Sequence, residues 1–198
     1  MSHDTGSAPT GPHSLAQAIW LNEPRSWRLL DENGLAVTAE PGTDFWRVTH
    51  SGAINHNGHF LGLPVQGDFT ASLAVRGEYC AEYDQAGLML LGDETTWLKT
   101  GVEMVGNEHR ASVVVTRDSS DWSFMKAPNP AEMWFHVTRH GDTVEVAISS
   151  DGNVYTPVRQ CTFRPRPAQV GPYCCSPMDG AGFAVTFSHV ELSAPSAS

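Results

Sequence analysis

Apolar and polar residues alternate along most of this chain, and the clearest alternation runs from Tyr83 to Glu103. Period-two alternation on both sides of Gly92-Asp93-Glu94-Thr95 predicts a β-hairpin. In the first arm Ala86, Leu88 and Leu90 share one face, and Gln85, Gly87 and Met89 the other. In the second arm Leu98, Thr100, Val102 and Met104 share a face, opposite Trp97, Lys99, Gly101 and Glu103. An aromatic ring, a cation, a gap and a carboxylate make a poor core face and a good floor for a ligand groove. Further strands are expected at 27–30 and 35–39 around Asn33-Gly34, and at 45–50, 69–79, 111–117, 133–140, 143–149, 154–158 and 182–192. Asp118-Ser119-Ser120-Asp121 reads as a turn. No stretch shows a helical apolar stripe over three turns. Short strands punctuated by turns predict an all-β, two-sheet antiparallel sandwich or barrel.

The polar, Gly/Pro/Ser-rich residues 1–14 and the tail 194–198 are expected to be disordered, leaving 15–193 as one β-sandwich domain. The 198 residues suit that size, and 40% hydrophobic content is enough for a core. A formal net charge of −10 disfavours nucleic acid and anionic membranes as partners. No apolar run is long enough to span a bilayer. The N-terminus lacks a basic start and an apolar core, so no signal peptide is expected and the location reads as cytoplasmic. Oligomeric state is left open. Cys80, Cys161, Cys174 and Cys175 form no CxxC pair, and free thiols are their expected state.

Several segments, taken in order, resemble one family. They are WLNEP from Trp20, DFWRVTH from Asp44, NGHF from Asn57, YDQAGLM from Tyr83, WLKTGVE from Trp97, SVVVT from Ser112, SDWS from Ser120 and CSP from Cys175. The chain thereby resembles the "regulation of enolase" family of the concanavalin A-like lectin/glucanase superfamily, over roughly residues 18 to 192. The resemblance implies a jelly roll of two curved antiparallel sheets with a ligand-binding concave face. The Glu-x-Asp nucleophile strand of the laminarinase-type hydrolases in that superfamily is missing, since Met104-Val105-Gly106-Asn107-Glu108 follows Glu103.

Trp97, Lys99, Glu103 and Gln85 are expected to form the groove floor, with Trp122 at its rim. Lys99 and Glu103 sit about 13 Å apart along the strand, so each would meet a ligand separately. If the site is catalytic, Glu103 with His50 or His59 would exchange protons and Lys99 would stabilise an anion. His50, His56 and His59 cluster in sequence, but their spacing matches no zinc signature, so no metal and no other cofactor is expected. Arg47 and Asp84 read as structural, with Asp84 capping the hairpin or pairing with an arginine. Cys174-Cys175 could supply a thiol nucleophile, but reads as loop packing. Two functions remain open. One is a binding domain for a carbohydrate or similar polyhydroxylated small molecule. The alternative is a small-metabolite enzyme using Glu/His acid-base chemistry. The solvated-floor reading expects Lys99→Ala to change stability by less than about 1 kcal/mol.

Overall fold

The computed structural model describes residues 14–129 and 131–194. Apart from Ser14 and Ala194, the expected leader and tail lie outside the described residues. A short 3-10 turn, Leu15–Gln17, is capped by the Ser14 hydroxyl and seats Leu15 in the core. The strands follow in chain order. They are β1 (Ile19–Leu21), β2 (Trp27–Asp31), β3 (Gly34–Ala39), β4 (Phe45–Arg47), β5 (Ile54–His56), β6 (His59–Val65), β7 (Phe69–Gly77) and β8 (Gln85–Asp93). Then come β9 (Thr96–Val105), β10 (Glu108–Arg117), β11 (Ser119–Lys126), β12 (Met133–His140), β13 (Thr143–Ser149), β14 (Thr156–Thr162), β15 (Ala168–Cys175) and β16 (Phe183–Ser193).

Two seven-stranded antiparallel sheets result. The first runs β1-β6-β15-β8-β9-β10-β11, the second β14-β13-β12-β7-β16-β3-β2. Their facing sides bury one core, with Leu88, Leu90, Leu98 and Val102 from the first sheet against Leu35, Leu73, Phe135, Val137 and Phe187 from the second. That is the two-sheet sandwich the alternation predicts.

Local chemistry sets the connections. Gly106 and Asn107 both take positive φ (61° each), the geometry of a two-residue hairpin turn whose twist matches the β9 and β10 strands. Asp118, at φ 62°, turns β10 into β11 alone, so Ser119–Asp121 are strand and not the turn their composition suggests. β4 and β5 pair only with each other and form a ribbon over the outer face of the first sheet. Among the described residues no helix is long and apolar enough to cross a membrane.

Candidate functional site

The register confirms the two faces of the central hairpin. Leu88 and Leu90 pair with Thr100 and Leu98 on the core side, while Gln85 opposes Glu103 and Gly87 opposes Gly101 on the outer side. That outer face is not an open floor. The ribbon lays Phe45 onto it, and Phe45, Phe60, Met89, Leu91, Trp97, Val114, Tyr173 and Cys175 make a second apolar cluster. Trp97, expected as a stacking platform, is 0% exposed and lies 6.1 Å from Phe45, ring centre to ring centre. It is core. The expected gap at Gly101 is filled as well: a Cβ there would come within 2.9 Å of the Tyr173 hydroxyl and 2.3 Å of the Ala86 carbonyl oxygen. Glycine is needed for that close approach, not for a ligand.

Lys99 is only 2% exposed. Its Nζ donates to the Phe45 carbonyl (2.6 Å) and to Oε1 of Gln85 (2.6 Å), and lies 3.6 Å from Oδ1 of Asp44. Asp44 Oδ1 also accepts from the Phe45 amide at 2.8 Å. Lys99 thus fastens the ribbon to the sheet. Its ammonium is spent on protein groups, which removes it as the expected ligand contact or anion stabiliser. Gln85 is committed in the same way, with its Nε2 donating to the Tyr83 carbonyl at 3.2 Å. Val48 and His50 in the ribbon's turn hold positive φ of 64° and 67°, unusual for residues with a Cβ and most of all for a β-branched one.

Beyond the ribbon lies Glu103, itself only 6% exposed, beneath a ring of aromatic side chains. Trp122 Nε1 donates to Oε2 of Glu103 at 3.0 Å. Burial pushes the Glu103 carboxyl up from its ordinary value, against the opposing charge of Lys99 and hydrogen bonding from Ser112 and Trp122. Around this pair stands a rim of half-buried and exposed rings. Trp122 meets Phe124 at 4.7 Å, Trp46 at 6.3 Å and Tyr83 at 6.5 Å between centroids. Arg110, directly across the ladder from Glu103, stacks 5.7 Å from the Phe124 ring and pairs with Glu108. Trp122, expected at the rim of the groove, is half-buried on this outer face. Tyr83, Phe124 and Arg110 were not expected there. Phe124 was hidden by the mistaken turn at 118–121, and Arg110 lies before the apolar run that marked β10.

The three histidines do not converge. His59 sits on the core side of β6, its Nδ1 2.6 Å from the Asn22 carbonyl and its Nε2 accepting from the Glu40 amide at 3.2 Å. Both nitrogens are occupied, so His59 holds the chain crossing at Asn22 and is no partner of Glu103. His56 packs edge-on against Phe45. His50 is exposed in the ribbon turn. Among the described residues no three His, Cys, Asp or Glu side chains gather as metal ligands. Asp84 accepts from the Cys80 and Ala81 amides (2.9 and 2.8 Å) and from the Ser176 hydroxyl (2.6 Å), a capping role. Arg47 turns elsewhere, to the Asp118 carbonyl. Cys175 is buried, and burial raises its thiol well above the usual range, against the pull of Lys99. It is a packing residue beside Phe45, not a nucleophile.

Known proteins share this architecture. "Regulation of enolase protein 1" from Saccharomyces cerevisiae is 38% identical over 184 residues, covering 91% of each chain. The crystal structure of a functionally unknown protein from Saccharomyces cerevisiae superposes with a TM-score of 0.88 at 36% identity, over 93% of this chain and 100% of that one. A xylan β-1,4-xylosidase from Bacillus halodurans C-125 shares the fold, with a TM-score of 0.68 at 14% identity, over 95% of this chain and 40% of the enzyme. The profile of a family described as a protein of unknown function, DUF1349, matches residues 20–195. A two-sheet sandwich with a ribbon-roofed outer face, matched across that span, belongs to the DUF1349 family.

Proposed function

We propose that the chain is a binding domain for a carbohydrate or a similar polyhydroxylated small molecule, and that its contact surface is the aromatic rim around Glu103. One observation carries this reading: the Glu103 carboxylate holds the Trp122 indole through Nε1, at the centre of a cluster formed with Trp46, Tyr83 and Phe124. A ring fixed by its own N–H offers a rigid platform to the C–H face of a sugar. Donors on the half-buried Arg110 flank it for hydroxyl groups. The site lies at the open end of the face, where the ribbon's apolar cover stops. Four unpaired cysteines are in keeping with a reducing compartment such as the cytoplasm.

The fold shared with a xylan β-1,4-xylosidase suggests the first probe. Xylotetraose, with cellotetraose beside it, is titrated calorimetrically into the native protein and into Trp122→Ala and Glu103→Gln. Capture falls by about tenfold or more in Trp122→Ala, the loss of one aromatic contact of about 1.4 kcal/mol. Unchanged affinity in Trp122→Ala contradicts the reading. The raised Glu103 carboxyl supports a second reading, a small-metabolite enzyme in which Glu103 delivers a proton. There Glu103→Gln leaves capture intact and lowers turnover by about a hundredfold.

A further inference from the structure

A second pocket opens at the far end of the same hairpin. It lies between the β8–β9 tip, the end of β10 and the segment that joins β14 to β15. Thr96 lines it, seven residues along β9 from Glu103, which is about 23 Å of extended strand. Three guanidinium groups line it too: Arg117, Arg164 and Arg166. That is a quarter of the twelve basic residues in a chain whose net charge is −10.

The pocket is braced from beneath. Arg139, 1% exposed, donates to the carbonyls of Gly141, Phe163 and Pro165, each at 3.0 Å. These bonds fix the backbone on both sides of Arg164 and just before Arg166. The hairpin tip presses against the same segment, since a Cβ on Gly92 would lie 2.4 Å from Pro165. Arg117 is held by its Nη2, 2.8 Å from the Thr162 carbonyl, and its remaining N–H groups are left to point elsewhere. Two carboxylates, the pocket-lining Asp93 and the neighbouring Asp142, stand against the three guanidinium groups and offset the charge in part. Asp142 is shared, 3.0 Å from Arg166 and 4.0 Å from Arg164. Asp93, part of the lining, accepts at Oδ1 from the amide and hydroxyl of Thr95, both at 2.8 Å, and keeps its negative charge. The Arg164 side chain is 83% exposed and free to fold inward.

We propose that this pocket is an anion site that takes the phosphate group of a small phosphorylated molecule. Arginine forks on a fixed backbone match phosphate oxygens two at a time, and the Thr96 hydroxyl lies at the same opening. The site is separate from the aromatic rim and does not depend on it. Calorimetric titration of the full chain with inorganic phosphate and with phenyl phosphate tests it. Saturable binding of either probe is expected, with sulfate as a weaker competitor. Phenyl phosphate binding without inorganic phosphate binding assigns the site to esters, and both binding assigns it to the phosphate group alone. Arg117→Ala and the Arg164→Ala/Arg166→Ala pair each weaken binding by about tenfold or more, the loss of a charge-assisted hydrogen bond. Arg28→Ala, on β2 and outside the pocket, leaves it unchanged. Circular dichroism melts confirm that each variant is folded. The proposal is overturned if neither probe saturates below about 10 mM, or if the pocket variants bind as the native protein does.

Discussion

At single residues, Lys99 and Glu103 decide what the hairpin face is for. Both alternate onto the outer face, as the sequence shows, but alternation says nothing of what lies above a face. The ribbon that covers Lys99 contains Phe45, 54 positions earlier in the chain, and no local pattern connects the two. Removing a buried, doubly bonded ammonium leaves the Phe45 carbonyl and the Gln85 amide oxygen without a donor. Lys99→Met is therefore expected to cost about 3 kcal/mol in urea melts, not the fraction expected of a solvated lysine. For Glu103 the sign follows from burial. Its folded-state carboxyl titrates above the ordinary 4.5, so the folded state holds a proton that the unfolded state has lost. Its contribution to stability is most favourable below pH 4.5 and declines as the pH rises through the raised folded value. Glu103→Gln cannot ionise and can still accept from Trp122. Its stability relative to the native protein should therefore rise across that window and level off above it. A native-minus-variant difference that is flat from pH 4 to 8 would falsify the burial of this carboxyl.

Among the elements, the hairpins marked by Gly or Asn at the turn were legible, and β12 and β13 have the bounds that alternation predicts. Five strands were missed: β1, β5, β6, β11 and β15. β6 carries Pro64 and β15 carries Pro172, and proline argues against a central strand because it lacks the ladder N–H. The structure accommodates Pro172 where the β15–β6 ladder skips from Val170 to Tyr173. β1 and β5 have three residues each, too short for a period to show. The sheet's inner face was read correctly, so Leu88→Ala should cost about 2–4 kcal/mol. The ribbon gives a companion test on the outer face. Phe45→Ala should cost about 3–5 kcal/mol, as expected of a core phenylalanine, and should raise acrylamide quenching of tryptophan fluorescence as Trp97 is uncovered. A ribbon that merely rests on the sheet would show neither effect.

Over the whole molecule, a sandwich with one buried interior has acquired a second, smaller core on its outer side, and this leaves two uncovered stretches at opposite ends of one hairpin. The aromatic rim lies at the Glu103 end and the arginine pocket at the Thr96 end. The resemblance to a ligand-binding concave fold pointed to the two-sheet sandwich. It could not show that Trp97, Lys99 and Gln85 sit under a roof while Trp122 and Tyr83 stand at its edge. The direct test is a nitrogen-15 spectrum of the tryptophan side chains, of which the chain has six, during a titration with xylotetraose. Assignment of the Trp122 and Trp97 indole signals comes from Trp122→Phe and Trp97→Phe. A ligand on the rim shifts the Trp122 signal saturably and leaves the Trp97 signal in place. Saturable binding that moves Trp97 and not Trp122 would contradict a roofed face with its site at the edge, as would binding that Trp122→Ala leaves unchanged.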